Sequence, residues 1–120
     1  MGLKGENTQN REVCPIVEAI REVGNEWSLI IVRYLSTRAM GFNELLRSAN
    51  SISPRTLSQN LKKLEEKGIL HRNVINTRPF KVQYELTEKG RDLSKVLSDL
   101  KEWGNRWIIN RPEAGYQEVR

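Results

Sequence analysis

Seven side chains with polar or cationic heads crowd one short stretch: Ser53, Arg55, Thr56, Gln59, Asn60, Lys62 and Lys63. These are residue types that recognise DNA. An arginine forks onto guanine, glutamine and asparagine onto adenine, and serine, threonine and lysine reach phosphate oxygens. Leu57, Leu61 and Leu64 recur through the same stretch at helical spacing and form one buried stripe. The polar set is then left for the other face, with no acidic residue before Glu65 and Glu66. An ordinary solvated helix mixes signs, often as Glu–Lys pairs four residues apart. Ser53 is a strong N-cap, and Pro54 suits the first helical position, where a missing N–H costs nothing. Gly68 ends the helix.

Past Gly68 the apolar period falls to two. Residues Ile69 to Asn76 and Lys81 to Leu86 read as strands, with Val82, Tyr84 and Leu86 on one face. Thr77-Arg78-Pro79-Phe80 is the turn between them, and its proline limits further pairing. Arg78 and Lys81 make the tip basic. Such a hairpin can lie along a minor groove or the adjacent backbone, where an arginine is favoured electrostatically.

Other reactive residues are few. His71 is the single histidine and lies between Leu70 and Arg72 in a strand. It is expected to pack or to contact backbone rather than to act as a general base. There is no glycine-rich phosphate loop and no cysteine pair for zinc, so neither enzyme activity, nor a metal, nor a cofactor is expected. Cys14 is the single cysteine and precedes a helix, whose N-terminus favours a thiolate. Within one chain it has no resolving partner. A redox role would need an intersubunit bridge or a small-molecule adduct.

These groups are positioned by a small helical frame. The first helix starts at Pro15, shows Ile16, Ala19, Ile20 and Val23 on one face, and stops at Gly24. Asn25 caps a second helix from about Glu26 to Ser36, and a short third spans about Phe42 to Ala49. Thr87 caps a last helix, about Glu88 to Ile109, in which Leu93, Val96, Leu100, Trp103 and Trp107 fall at heptad positions and Leu97 widens the stripe. A domain this small has little core left for two tryptophans so far from the hairpin. The stripe is expected to pair with a second chain, with Ile16 and Ile20 as partners. The expected fold is therefore mainly α with a small β-hairpin wing (α+β): a winged helix-turn-helix over residues 12–109. Its C-terminal helix, 88–109, dimerises, and a flexible arm (1–11) and tail (110–120) flank it.

Composition agrees with this reading. The chain has 120 residues, 38% hydrophobic and 29% charged, enough for one domain with one modest core. No apolar run approaches the roughly 20 residues of a membrane span. The polar start and the single cysteine point to a reducing cytoplasm. The net charge is +5, and residues 53–85, with seven basic and three acidic side chains, hold most of it. A non-specific chromatin-type binder is usually far more basic, and a winged helix used only to bind protein has no need of the polar face.

From Cys14 to Trp107 the chain resembles the HxlR family of winged-helix regulators. The matching residues begin with Cys14-Pro15, Gly24, Trp27 and Phe42-Asn43-Glu44-Leu45. They continue as Ile52-Ser53-Pro54, Leu57-Ser58-Gln59 and Leu61 to Leu64, and close with Glu66, Gly68, Tyr84, Leu86-Thr87, Gly90 and Trp103. The resemblance implies a homodimeric, sequence-specific transcription factor, a repressor or dual regulator, acting on a pseudo-palindromic double-stranded operator. It places the DNA-reading face on Ser53, Arg55, Thr56, Gln59 and Lys63, the wing on Arg78 and Lys81, and dimer contacts on the terminal helices. Some relatives resemble redox or electrophile sensors through a cysteine matching Cys14. Two departures stand out. Asn25-Glu26 replaces a glycine and lysine before the tryptophan, which weakens any phosphate contact there. Pro79-Phe80 replaces a double proline in the wing, leaving Phe80 either packed under the wing or exposed at its tip.

Overall fold

The structure is a computed structural model that describes residues 13–110. The arm expected over 1–11, and the tail expected from 110 except for Asn110 itself, lie outside the described residues. Five α-helices and one hairpin follow in the order α1 (Pro15–Val23), α2 (Glu26–Leu35), α3 (Phe42–Ala49), α4 (Pro54–Glu66), β1 (Leu70–Thr77), β2 (Phe80–Leu86) and α5 (Glu88–Gly104). A π-helical turn, Asn105–Ile109, prolongs α5. This is the expected winged helix-turn-helix, mainly α with a two-stranded antiparallel sheet.

Local chemistry sets the helix ends. The Asn25 side chain accepts from the Ser28 N–H at 3.0 Å, and Ser53 Oγ accepts from the Thr56 N–H at 3.1 Å. Thr87 Oγ1 accepts from the Gly90 N–H at 3.2 Å and donates back to the Ile69 carbonyl at 3.0 Å, fastening the start of α5 to the base of the hairpin. Gly24 closes α1 at φ +94°, a conformation glycine adopts without a Cβ penalty.

The core lies where α2, α3 and α4 meet the base of the hairpin. Ile31, Val32, Leu45, Leu57, Leu61, Leu64, Ile69 and Leu70 are all essentially inaccessible. Met40, between α2 and α3, pairs with Tyr84 through two backbone hydrogen bonds of 3.1 and 2.7 Å, so the sheet gains a third short edge. The hairpin differs from expectation by one residue at both ends of β1 and at the start of β2, while β2 ends at Leu86 as expected. Pairing continues to Thr77 opposite Phe80, and Arg78-Pro79, joined by a cis bond, forms the whole connection. A bulge near Ile75 shifts the register between Val74 and Asn76.

Glu44 secures α3. Its carboxylate accepts from the Gly41 N–H at 2.9 Å and from Arg38 Nη1 at 2.9 Å. The Gly41 N–H, and then Arg38, hold its pKa below the ordinary value. A carboxyl lowered on folding stabilises the protein above its unfolded pKa, about 4.3. That contribution disappears as pH falls through the lowered folded value. Thermal unfolding of Glu44→Gln should therefore fall short of wild type at pH 7, and the deficit should shrink as pH drops below about 4.3. An equal deficit on both sides of that value would show that the carboxylate charge is not involved.

Candidate DNA-binding face

Helix α4 follows α3 across a short turn in which Asn50 takes a positive φ of 58°. Leu57, Leu61 and Leu64 hold α4 on the core, which leaves Arg55, Gln59, Lys62 and Lys63 exposed on the far side. Among the described residues, neither Arg55, Lys62 nor Lys63 takes part in an ion pair. Their charge is uncompensated and turned to solvent. The acidic residues of α4 stand at its C-terminal end. Ser53 is exposed and Thr56 half-buried; the Ser53 hydroxyl donates to Thr56 Oγ1 at 2.9 Å. Both hydroxyl oxygens keep acceptor capacity at the rim of the face.

Asn60 has to be removed from the DNA-reading set. It is only 6% exposed. Its Nδ2 donates to the Thr56 carbonyl at 2.8 Å, and its Oδ1 accepts from Ser28 Oγ at 3.2 Å, which ties α4 to α2. The reason is angular. Asn60 stands three residues after Leu57 and four before Leu64, so it shares their side of the helix. That spacing was the signal for its burial.

At the wing, Arg78 and Lys81 are exposed as expected, and Phe80 is exposed at the tip. His71 corrects the packing expectation. It is exposed, with Nδ1 3.1 Å from Asn73 Oδ1 and Nε2 3.7 Å from Glu85 Oε1. Sequence reasoning missed a polar joint near the C-terminal end of α4. Lys67 Nζ donates to the Glu22 carbonyl at 2.6 Å, while Lys89 Nζ bridges the Glu22 carboxylate at 2.8 Å and the Lys67 carbonyl at 2.7 Å. Hydrogen bonding and charge from Lys89 lower the Glu22 pKa. These partners are 22 to 67 residues apart, beyond any local spacing rule.

The terminal helices carry the other expected residues. Helix α1 buries no residue, and Ile16 and Ile20 are exposed. Between α1 and α5 runs an apolar groove of about 650 Å³, lined by Ile16, Ile20, Leu93, Val96, Leu97 and Leu100 among others. Val96, Leu100, Trp103 and Trp107 are exposed, whereas Leu93 and Leu97 are half-buried against the domain's own core. Those two serve intrachain packing as well as lining the groove. Cys14 is the exposed N-cap residue of α1. Among the described residues no acidic, histidine or cysteine cluster could hold a metal. No described helix is long and apolar enough to cross a membrane.

A helix displayed with a cationic outer face, a short helix before it and a basic hairpin behind it is the working part of a winged helix-turn-helix DNA-binding protein. Comparison with known proteins agrees. The model of the HxlR-like helix-turn-helix family matches residues 22–112. The chain is 39% identical over 102 residues to the HTH-type transcriptional regulator YybR of Bacillus subtilis (strain 168), spanning 83% of this chain and 82% of that protein. The solved structure of the redox regulator HypR in its oxidized form superposes with a TM-score of 0.73 at 37% identity, covering 83% of this chain and 100% of that one. The reduced form of YodB from B. subtilis gives 0.69 at 33% identity, covering 80% and 95%. YodB has also been solved diamide-treated and quinone-bound. The chain belongs to the HxlR family. It is a DNA-binding transcriptional regulator of the helix-turn-helix type, a family of regulators rather than enzymes.

Proposed function

We propose that the protein is a cytoplasmic homodimer that regulates transcription from a pseudo-palindromic operator and responds to oxidants or electrophiles at Cys14. The observation that carries the DNA reading is the exposed, uncompensated face of α4. Arg55 and Gln59, four residues apart on that face, read base edges; Lys62 and Lys63, with Arg78 and Lys81 on the wing, bind phosphates. Replacing Arg55 or Gln59 with alanine is expected to cost about 1–3 kcal/mol on the specific site and to relax preference at one position. Lys63→Ala should instead weaken binding to every sequence and flatten the salt dependence. Gel shifts with specific and scrambled duplexes at two salt concentrations separate the two effects. Unchanged selectivity in both Arg55→Ala and Gln59→Ala would overturn the assignment.

The sensing part rests on position. Cys14 is exposed at the start of a helix that buries none of its own residues, so a bond formed there can reposition α1 cheaply. The likeness to a redox regulator and to a diamide-treated and quinone-bound relative supports the same reading. Diamide would take two electrons and two protons from two Cys14 thiols, one per protomer, to leave an intersubunit disulfide. A quinone would add the thiol directly. Either treatment should change operator affinity in the wild type, and Cys14→Ser should abolish the change. Equal affinity before and after verified thiol modification would make Cys14 structural only.

A further inference from the structure

The wing carries an apolar stripe that runs out past the body of the domain. Directly opposed residues of an antiparallel pair lie on the same face. Phe80, Val82, Tyr84 and Leu86 of β2 therefore share a side with Leu70, Arg72, Val74 and Thr77 of β1, so the apolar run is continuous on β2 and broken by Arg72 and Thr77 on β1. Cover is lost along this stripe: Leu70 and Leu86 are buried, Tyr84 and Val82 half-buried, Val74 exposed, and Phe80 64% exposed at the end. Closing the hairpin does not require an aromatic there. The surrounding charge indicates what the ring meets. Residues 72–84 include Arg72, Arg78 and Lys81 and no acidic residue. Among the described residues none of the three cations is in an ion pair. An exposed ring flanked by cations that pair with no described acid complements a surface that is anionic at its edges and offers sugar faces and stacked base steps between them. The minor groove of duplex DNA is such a surface, with phosphates flanking sugar and base edges.

We propose that Phe80 is an apolar minor-groove contact, set between the phosphates engaged by Arg78 and Lys81, through which the wing selects an easily deformed step beside the bases read by α4. The proposal rests on the DNA-binding reading of the wing and adds a source of specificity to it. Pyrimidine–purine steps open at little cost and A-tracts resist, so a side chain pressed into the groove converts stiffness into sequence preference.

The test uses duplexes selected by the wild-type protein from a random pool. Phe80 lies outside the core, so Phe80→Ala should keep wild-type helicity and melting. It is expected to lower affinity about tenfold, through lost apolar burial, with the salt slope unchanged. Reselection with Phe80→Ala should lose the preference at positions flanking the α4 contacts. Arg78→Ala should reduce the salt slope of the dimer by about 1.8, that is about 0.9 for each of its two copies. If Phe80→Ala keeps wild-type affinity and selection while Arg78→Ala flattens the slope, the Phe80 contact is wrong and the phosphate role of the wing stands. If neither variant changes binding, the wing does not touch DNA, and both readings fall.

Discussion

A Gly90→Ala variant is expected to unfold at a temperature roughly 10–20 °C below wild type, a loss of about 3 kcal/mol. Gly90 sits in the first turn of α5 and is buried. A Cβ there would run into the Ile69 carbonyl oxygen and stand 3.0 Å from Leu86 Cδ2. The first obstacle is backbone, held by the Thr87 N–H and the Thr87 hydroxyl at 3.0 Å each, so it cannot turn aside as a side chain would. Relief requires α5 to lift from the hairpin, which opens the core around Ile69, Leu70 and Leu86. Differential scanning calorimetry measures the effect. A melting temperature within a degree or two of wild type would mean that α5 does not dock as described.

The second large effect is expected from Leu100→Asp, which should separate the protomers and remove most operator binding. Leu100 is 53% exposed in the single chain and lines the groove between α1 and α5. Trp103 and Trp107 lie exposed beyond it. In a dimer closed over this groove, each aspartate would be an unpaired buried charge, costing several kcal/mol per protomer. One recognition helix spans too few base pairs to select a genomic site, so loss of the partner should lower operator affinity by at least about 100-fold. The domain itself should survive, because its core does not use Leu100. Sedimentation should give the 13.9 kDa monomer, with helicity retained by circular dichroism. A variant that remains dimeric with full affinity would put the interface elsewhere.

Much of the fold was legible because its signals are local. Ser53-Pro54, Asn25 and Thr87 mark helix starts through side chain and backbone chemistry within a single turn. Leu57, Leu61 and Leu64 orient α4 without knowledge of what they pack on. Legibility failed where long-range contacts decide. The burial of Asn60 was legible from its spacing to Leu57 and Leu64, but its partner Ser28, 32 residues away, was not. Leu93 and Leu97 read as one stripe with Val96 and Leu100, but they stand four residues apart on the side of α5 that meets the core, while Val96 and Leu100 stay exposed. His71 is a different case: it alternates with buried Leu70, so the local strand period was enough to put it outside. Phe80 was ambiguous because the end of the core, rather than the strand pattern, decides whether a hairpin tip is covered.

The central claim is that paired copies of α4 read a defined sequence. Selection of bound duplexes from a random pool tests it most directly. The expected result is enrichment of a two-fold symmetric sequence whose half-site centres lie about one helical turn, or a whole multiple of it, apart. Selection with Gln59→Ala should lose preference at one position in each half-site. A wild-type pool that stays as random as its starting material, at a salt concentration where the protein still binds, would contradict the account.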